Sequence, residues 1–125
     1  MRLFVTIFSF LMMLGLSAQL SCAVAQDAPD TRTTKGVLPH CQAGTAANST
    51  DVLGGRCAGI IATLSFVSRV LPDNLKFCQP SGSTPEQMVQ AIASFVQANP
   101  DSSAEDFRLV ALAAMRAKWP CQDQE

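Results

Sequence analysis

Residues 78–121 read CQPSGSTPEQMVQAIASFVQANPDSSAEDFRLVALAAMRAKWPC, an apolar-periodic run opened by Cys78 and closed by Cys121. Thr84 followed by Pro85 and Gln87 marks a helix start. The threonine hydroxyl accepts a first-turn N–H, proline needs no amide partner at that position, and a glutamine three residues on returns the bond. Met88, Ile92, Phe95 and Val96 recur at helical spacing. Asn99-Pro100 ends the run, because the residue before proline avoids helical geometry. Asp101, Ser102 and Ser103 offer caps for a further helix, Glu105 and Asp106 lie near its positive end, and Phe107, Val110, Ala111, Ala114 and Met115 mark its buried side. The expected spans, 85–98 and 103–119, are each roughly 20 to 25 Å long at about 1.5 Å per residue, and so short a link packs them antiparallel. This geometry returns Cys121 to Cys78 and favours that bond, leaving Cys41 for Cys57, although four cysteines admit three pairings.

Working outward, a helix is expected from about Thr50 to Val70, with Val52, Leu53, Ile60, Ile61, Leu64, Phe66 and Val67 as its apolar face and Leu71-Pro72 as its stop. Gly54-Gly55 and Gly59 weaken it. Either the helix begins after Gly55 or these glycines sit where another backbone packs closely. Val37-Leu38 and Cys41 suggest a short helical turn held by its cysteine, and Ala43 to Ser49 reads as a loop. Asn48-Ser49-Thr50 matches a glycosylation acceptor and is read as coincidental. Residues 26–36, rich in Asp and Thr, have too little apolar surface to offset the entropy of ordering and read as a flexible leader. The fold expected is all-α: a small bundle of three long helices plus a short N-terminal helical turn, over residues 37–125, stapled by two disulfides. No strand pattern or internal repeat competes.

The N-terminus speaks for export. Met1-Arg2 is a short positive start, Leu3 to Leu20 is mostly apolar, and Ala23-Val24-Ala25 is a small-x-small cleavage site, so residues 1–25 read as a signal peptide cut before Gln26. Ser9, Ser17 and Gln19 interrupt the apolar stretch and no basic stop-transfer cluster follows, which argues against a membrane anchor. Cys22 stands where a lipid-modified cysteine would, but Gln19 occupies the position where such signals carry leucine. Cleavage removes 25 residues from 125, leaves 100, and takes Cys22 with it. An odd five cysteines thereby become an even four, the count of a two-disulfide chain for an oxidising compartment such as the periplasm. The remaining chain holds 8 basic and 10 acidic side chains without a basic cluster, which argues against nucleic acid or an anionic membrane surface as partner.

Candidates for chemistry are few. Cys57, Cys78 and Cys121 are too widely spaced for a redox pair or a zinc knuckle. His40 beside Cys41 suggests a thiol–imidazole dyad, but sequence neighbours rarely face one another and a bonded cysteine cannot attack, so a plain surface histidine is expected. Glu105 and Asp106 diverge by about 100° on a helix and serve its start better than acid–base work. Met88, Ile92 and Phe95 read as core before ligand groove, and Trp119 as packing against the disulfide before partner contact. No catalytic residue, metal ligand or cofactor site is expected.

Taken in order, Cys57-Ala58-Gly59-Ile60, Phe77-Cys78-Gln79-Pro80, Thr84-Pro85-Glu86-Gln87, Asn99-Pro100 and Ala111-Leu112 leading to Trp119-Pro120-Cys121 resemble the Rap/Tai family of type VI secretion immunity proteins over about Cys41 to Cys121. The resemblance implies a small helical periplasmic protein, disulfide-stabilised and often dimeric. It also implies the role: binding a peptidoglycan-cleaving amidase effector and obstructing its active site. The segments expected to face that partner are Asp73 to Phe77 and Gln79 to Ser83, which join helices under the restraint of Cys78, with Asp73, Asn74, Lys76, Gln79, Ser81 and Ser83 as contact residues. The alternative is a periplasmic helical binding module, a chaperone or carrier of apolar ligands without a toxin partner.

Overall fold

A computed structural model describes residues 30–44 and 51–122. The expected signal peptide, residues 26–29 and the Asn48-Ser49-Thr50 acceptor lie outside the described residues. The elements are α1 (Thr34–Gly44), α2 (Val52–Val67), α3 (Pro85–Ala98), a 3-10 turn (Pro100–Ala104) and α4 (Phe107–Lys118). The protein is therefore helical, but the short turn expected near Cys41 is an 11-residue helix with Pro39 inside it.

Two helix pairs make the body. α1 packs chiefly on α2, and α3 on α4. Cys41–Cys57 ties the first pair, and Cys78–Cys121 ties the connector before α3 to the segment after α4. Val37, Ile61, Phe77, Met88, Ile92, Phe107 and Met115 are buried in one core to which all four helices contribute. α3 begins and ends where the sequence marks it. The Thr84 amide donates to Gln87 Oε1 at 3.0 Å and the Gln87 amide to Thr84 Oγ1 at 3.4 Å, so the cap is reciprocal.

The N-terminal boundary differs from expectation. The chain is already packed before Val37: Thr33 forms an isolated antiparallel bridge with Asp106, the Phe107 amide donates to the Arg32 carbonyl at 2.9 Å, and the Thr34 amide donates to the Glu105 carbonyl at 2.8 Å. Backbone bonding, not apolar burial, orders this polar stretch, so composition underestimated it. Thr34 is fully buried, and its hydroxyl also donates to the Glu105 carbonyl. Gly36 is required by close approach, since a Cβ there would stand 2.1 Å from the Asp30 carbonyl oxygen.

α2 also departs from its expected form. It starts at Val52, capped by Asp51, whose carboxylate accepts the Leu53 and Gly54 amides. The cap lets it run through Gly54-Gly55. Gly55 and Gly59 face open space rather than another backbone. Each then costs helix stability with no packing return, so Gly55→Ala and Gly59→Ala are each expected to raise unfolding free energy by about 1 kcal/mol in urea melts. Val52 and Phe66, expected on the apolar face, are 82% and 84% exposed. The buried stripe is Leu53, Cys57 and Ile61, and Phe66 lies about 140° round the helix from Ile61.

α4 starts at Phe107, four residues later than expected, because the chain after Pro100 first makes the 3-10 turn. Asp106 is its cap and accepts the Arg108 amide at 3.0 Å.

Candidate partner-binding surface

After α2 the chain turns twice before α3. Val70 and Leu71 donate to the Val67 carbonyl, and Leu75 and Lys76 to that of Pro72. Phe77, 1% exposed, drives into the core and fixes the end of this segment. Cys78 follows, tied through its sulfur to Cys121 and through its amide to the Trp119 carbonyl at 2.8 Å. Pro80 to Ser83 then form a turn in which the Ser83 amide and hydroxyl donate to the Pro80 carbonyl and Gly82 takes φ +84°. That φ is the one a third turn position needs and glycine adopts without steric cost. Thr84 then caps α3. The loop is therefore held at both ends, by a covalent bond and by a capping box.

Held this way, residues 80–83 stand as a ridge bordering two open grooves. One, of about 620 Å³, lies against α3 and α4 and includes Gln90, Ser94, Lys118 and Trp119. The other, of about 880 Å³, lies against the C-terminal end of α2 and includes Phe66, Arg69, Val70 and Lys76. Of the expected contact residues, Ser81 and Ser83 line both grooves, and Lys76 and Gln79 line the second. Gln79 Oε1 is buried without a hydrogen-bond partner among the described residues. Asp73 and Asn74 are exposed, and neither lines these two grooves; the Asp73 carboxylate accepts from Lys76 Nζ at 3.1 Å.

Phe66 and Val70 were the residues that sequence reasoning missed here. Their exposures, 84% and 79%, are the highest among large apolar side chains in the second groove's lining. The signal lay in Cys57: a bonded cysteine must face α1, and that sets the phase of α2 with Phe66 pointing away.

The other candidates resolve into structure. Cys41 is 2% exposed and bonded, so it forms no dyad with His40. His40 is not a plain surface residue: its Nδ1 stands 2.5 Å from Asp51 Oδ2, linking α1 to the cap of α2. Met88 and Ile92 are buried, and Phe95 is half-buried against the same core. Trp119 packs on that core and lines the first groove. No group of His, Cys, Asp or Glu among the described residues is arranged to hold a metal.

Four carboxylates, Asp30, Asp51, Glu86 and Asp106, sit below the ordinary range, Glu86 through its own amide and the Thr84 hydroxyl at the start of α3. Asp30, accepting the Thr33 hydroxyl and the Thr33 and Arg32 amides, is pulled from 3.8 to about 2. Asp51 is lowered first by His40 and then by the Gly54 and Leu53 amides. Asp106 is lowered by the Arg108 guanidinium, which reaches both its oxygens at 2.9 and 2.7 Å, and by the Arg108 amide. A depressed folded-state value adds stability that is present above the ordinary carboxylate range and is lost as pH falls through the folded value. The melting temperature is therefore expected to be level from neutrality to about pH 4 and to fall toward about pH 2. Asp106→Asn, which keeps a capping oxygen but not the ion pair, makes that fall shallower in pH-dependent thermal melts.

Taken together, these features define a small helical frame held in shape by two disulfides, with two open grooves beside the 80–83 turn. The model of the family described as Rap1a immunity proteins matches residues 33–121, which covers both disulfides and all four helices. The chain belongs to that family, and membership supports an immunity function with a toxin effector as partner. No curated protein and no solved structure matched the chain. No helix among the described residues is long and apolar enough to cross a membrane.

Proposed function

We propose that this chain is an exported periplasmic immunity protein of type VI secretion that binds a peptidoglycan amidase effector and occludes its cleft with the 80–83 ridge. Family membership carries the reading. The pinned ridge supports the mechanism: a loop already ordered loses little entropy on binding, so more of the contact energy appears as affinity. Occlusion asks no chemistry of the inhibitor. Two disulfides fit an oxidising compartment, and cleavage before Gln26 is the proposed route there, checked by N-terminal sequencing of the exported product. The resemblance also implies a homodimer, which light scattering of the oxidised protein resolves.

The test is binding and inhibition against a panel of purified secreted peptidoglycan amidases. The expected result is tight binding to one of them that abolishes cleavage; micromolar binding without inhibition ends the reading for those enzymes. Gly82→Ala separates ridge from frame. A side chain at φ +84° costs roughly 1–2 kcal/mol locally, and nothing within 4 Å would clash with it. Inhibition should therefore weaken more than the melting temperature suggests.

The exposed Phe66 and Val70 beside an open groove favour a second reading, a helical chaperone or carrier. Strong binding of an apolar dye by the oxidised protein, with no amidase bound, would favour it.

A further inference from the structure

We propose that the groove at the C-terminal end of α2 receives an acidic, apolar-tipped lip of the effector's cleft, seated on Phe66 and Val70 and held by Arg69 and Lys76. This rests on the immunity reading and names the part of the surface that selects the partner. Phe66 and Val70 leave large apolar side chains in water at 84% and 79% exposure, and both line one concavity. Exposed apolar surface of this kind, next to a concavity, marks an interaction site. The groove's charge gives the partner's sign. Its lining holds two cations and no carboxylate, although the whole chain carries a formal net charge of −1. The cleft beside the 3-10 turn is the opposite, with Asp101 and Glu105 and no cation in its lining.

Both cations can engage a partner. Arg69 is exposed and has no ion pair among the described residues. Lys76 pairs only with Asp73, whose side chain is 98% exposed, and such a pair is easily exchanged. A guanidinium offers a planar fork that a carboxylate accepts through two oxygens, which makes Arg69 the stronger selector. The wall behind them is stiff: Ser68 and Phe77 are buried, and Cys78 is bonded to Cys121. The groove shares residues 80–83 with the ridge, so an enzyme whose cleft takes the ridge must lay one lip along Phe66 and Val70. A second copy docking by this face would set the same two cations of each copy against one another.

The experiment uses the full chain, exported by its host and purified oxidised, with Phe66→Ser, Val70→Ser and Arg69→Glu as variants and Leu109→Ser, an exposed apolar site outside the groove lining, as control. Affinity is measured for whichever amidase of the panel the unaltered chain inhibits, and melting temperatures verify the fold. Phe66→Ser and Arg69→Glu are expected to raise Kd by about 30-fold or more, the range of an interface hot spot, with Leu109→Ser unchanged. Replacing an acidic residue on the amidase's cleft lip by lysine should restore binding to Arg69→Glu. Groove variants that bind and inhibit like the unaltered chain overturn the inference and leave the immunity reading standing. Loss of a homodimer in Phe66→Ser, with amidase affinity intact, overturns it in favour of a self-interface. Failure of the unaltered chain to bind any amidase overturns the reading and the inference together.

Discussion

Replacing Cys78 and Cys121 by serine is expected to lower unfolding free energy by about 4 kcal/mol on the chain-entropy model. The two cysteines are 43 positions apart, and the bond removes from the unfolded ensemble every conformation in which that long segment is open. Cys41–Cys57, with a separation of 16, closes a shorter loop, and its loss is expected to cost about 3 kcal/mol. Small domains are stable by about 5–15 kcal/mol, so either change is a large fraction of the total. At about 4–8 °C per kcal/mol for a domain this small, the Cys78 and Cys121 variant should melt roughly 15–30 °C lower. The amide of residue 78 keeps its bond to the Trp119 carbonyl in the folded variant, so the helix pair should still form at low temperature. Circular dichroism melts of the oxidised, singly disulfide-bonded and reduced forms measure each step. A melting temperature unchanged by reduction would show that the helices alone close the fold.

Phe107→Ala is expected to cost about 3–5 kcal/mol, the range for truncating a buried phenylalanine. Phe107 is 1% exposed and opens α4, and its amide reaches across to the Arg32 carbonyl. Removing the ring leaves a cavity where the N-terminal segment is stapled to α4, so the bridge at Thr33 and Asp106 loses its apolar backing. Hydrogen exchange should therefore rise first at the Thr34 and Phe107 amides. Denaturant midpoints measure the overall loss, and an unchanged slope shows that the denatured state is not the cause. Phe66→Ala is the contrast. At 84% exposure it has little packing to lose and should stay within about 0.5 kcal/mol of the parent.

The parts of the fold legible in the sequence were those written in local chemistry. Thr84, Pro85 and Gln87 spell a helix start within four residues, and Asn99-Pro100 a stop, so α3 could be placed to the residue. Elsewhere the decisive contacts are between distant segments. Arg32 to Thr34 are ordered by backbone groups at 105–107, and backbone pairing leaves no mark in side-chain identity. The face of α2 was ambiguous because apolar residues surround it; only the direction of Cys57 resolves the phase. Of the residues expected to meet a partner, Lys76, Gln79, Ser81 and Ser83 lie along the two grooves, on the loop that Cys78 restrains, whereas Asp73 and Asn74 do not. Phe66 was reachable only through the pairing of Cys57, since an apolar residue in a helical run otherwise reads as core.

The order of the bonds bears on how the protein is made. Cys41 joins Cys57, and Cys78 joins Cys121, so each cysteine of the folded frame pairs with its next neighbour along the chain and the two loops do not interlock. A chain threaded out N-terminus first would present these four thiols to an oxidant in pairing order. Joining each arrival to the one before it yields both native bonds without a shuffling enzyme, provided that Cys22 is removed with the proposed signal peptide and does not capture Cys41. Biogenesis should then depend on a thiol oxidase and be indifferent to a disulfide isomerase.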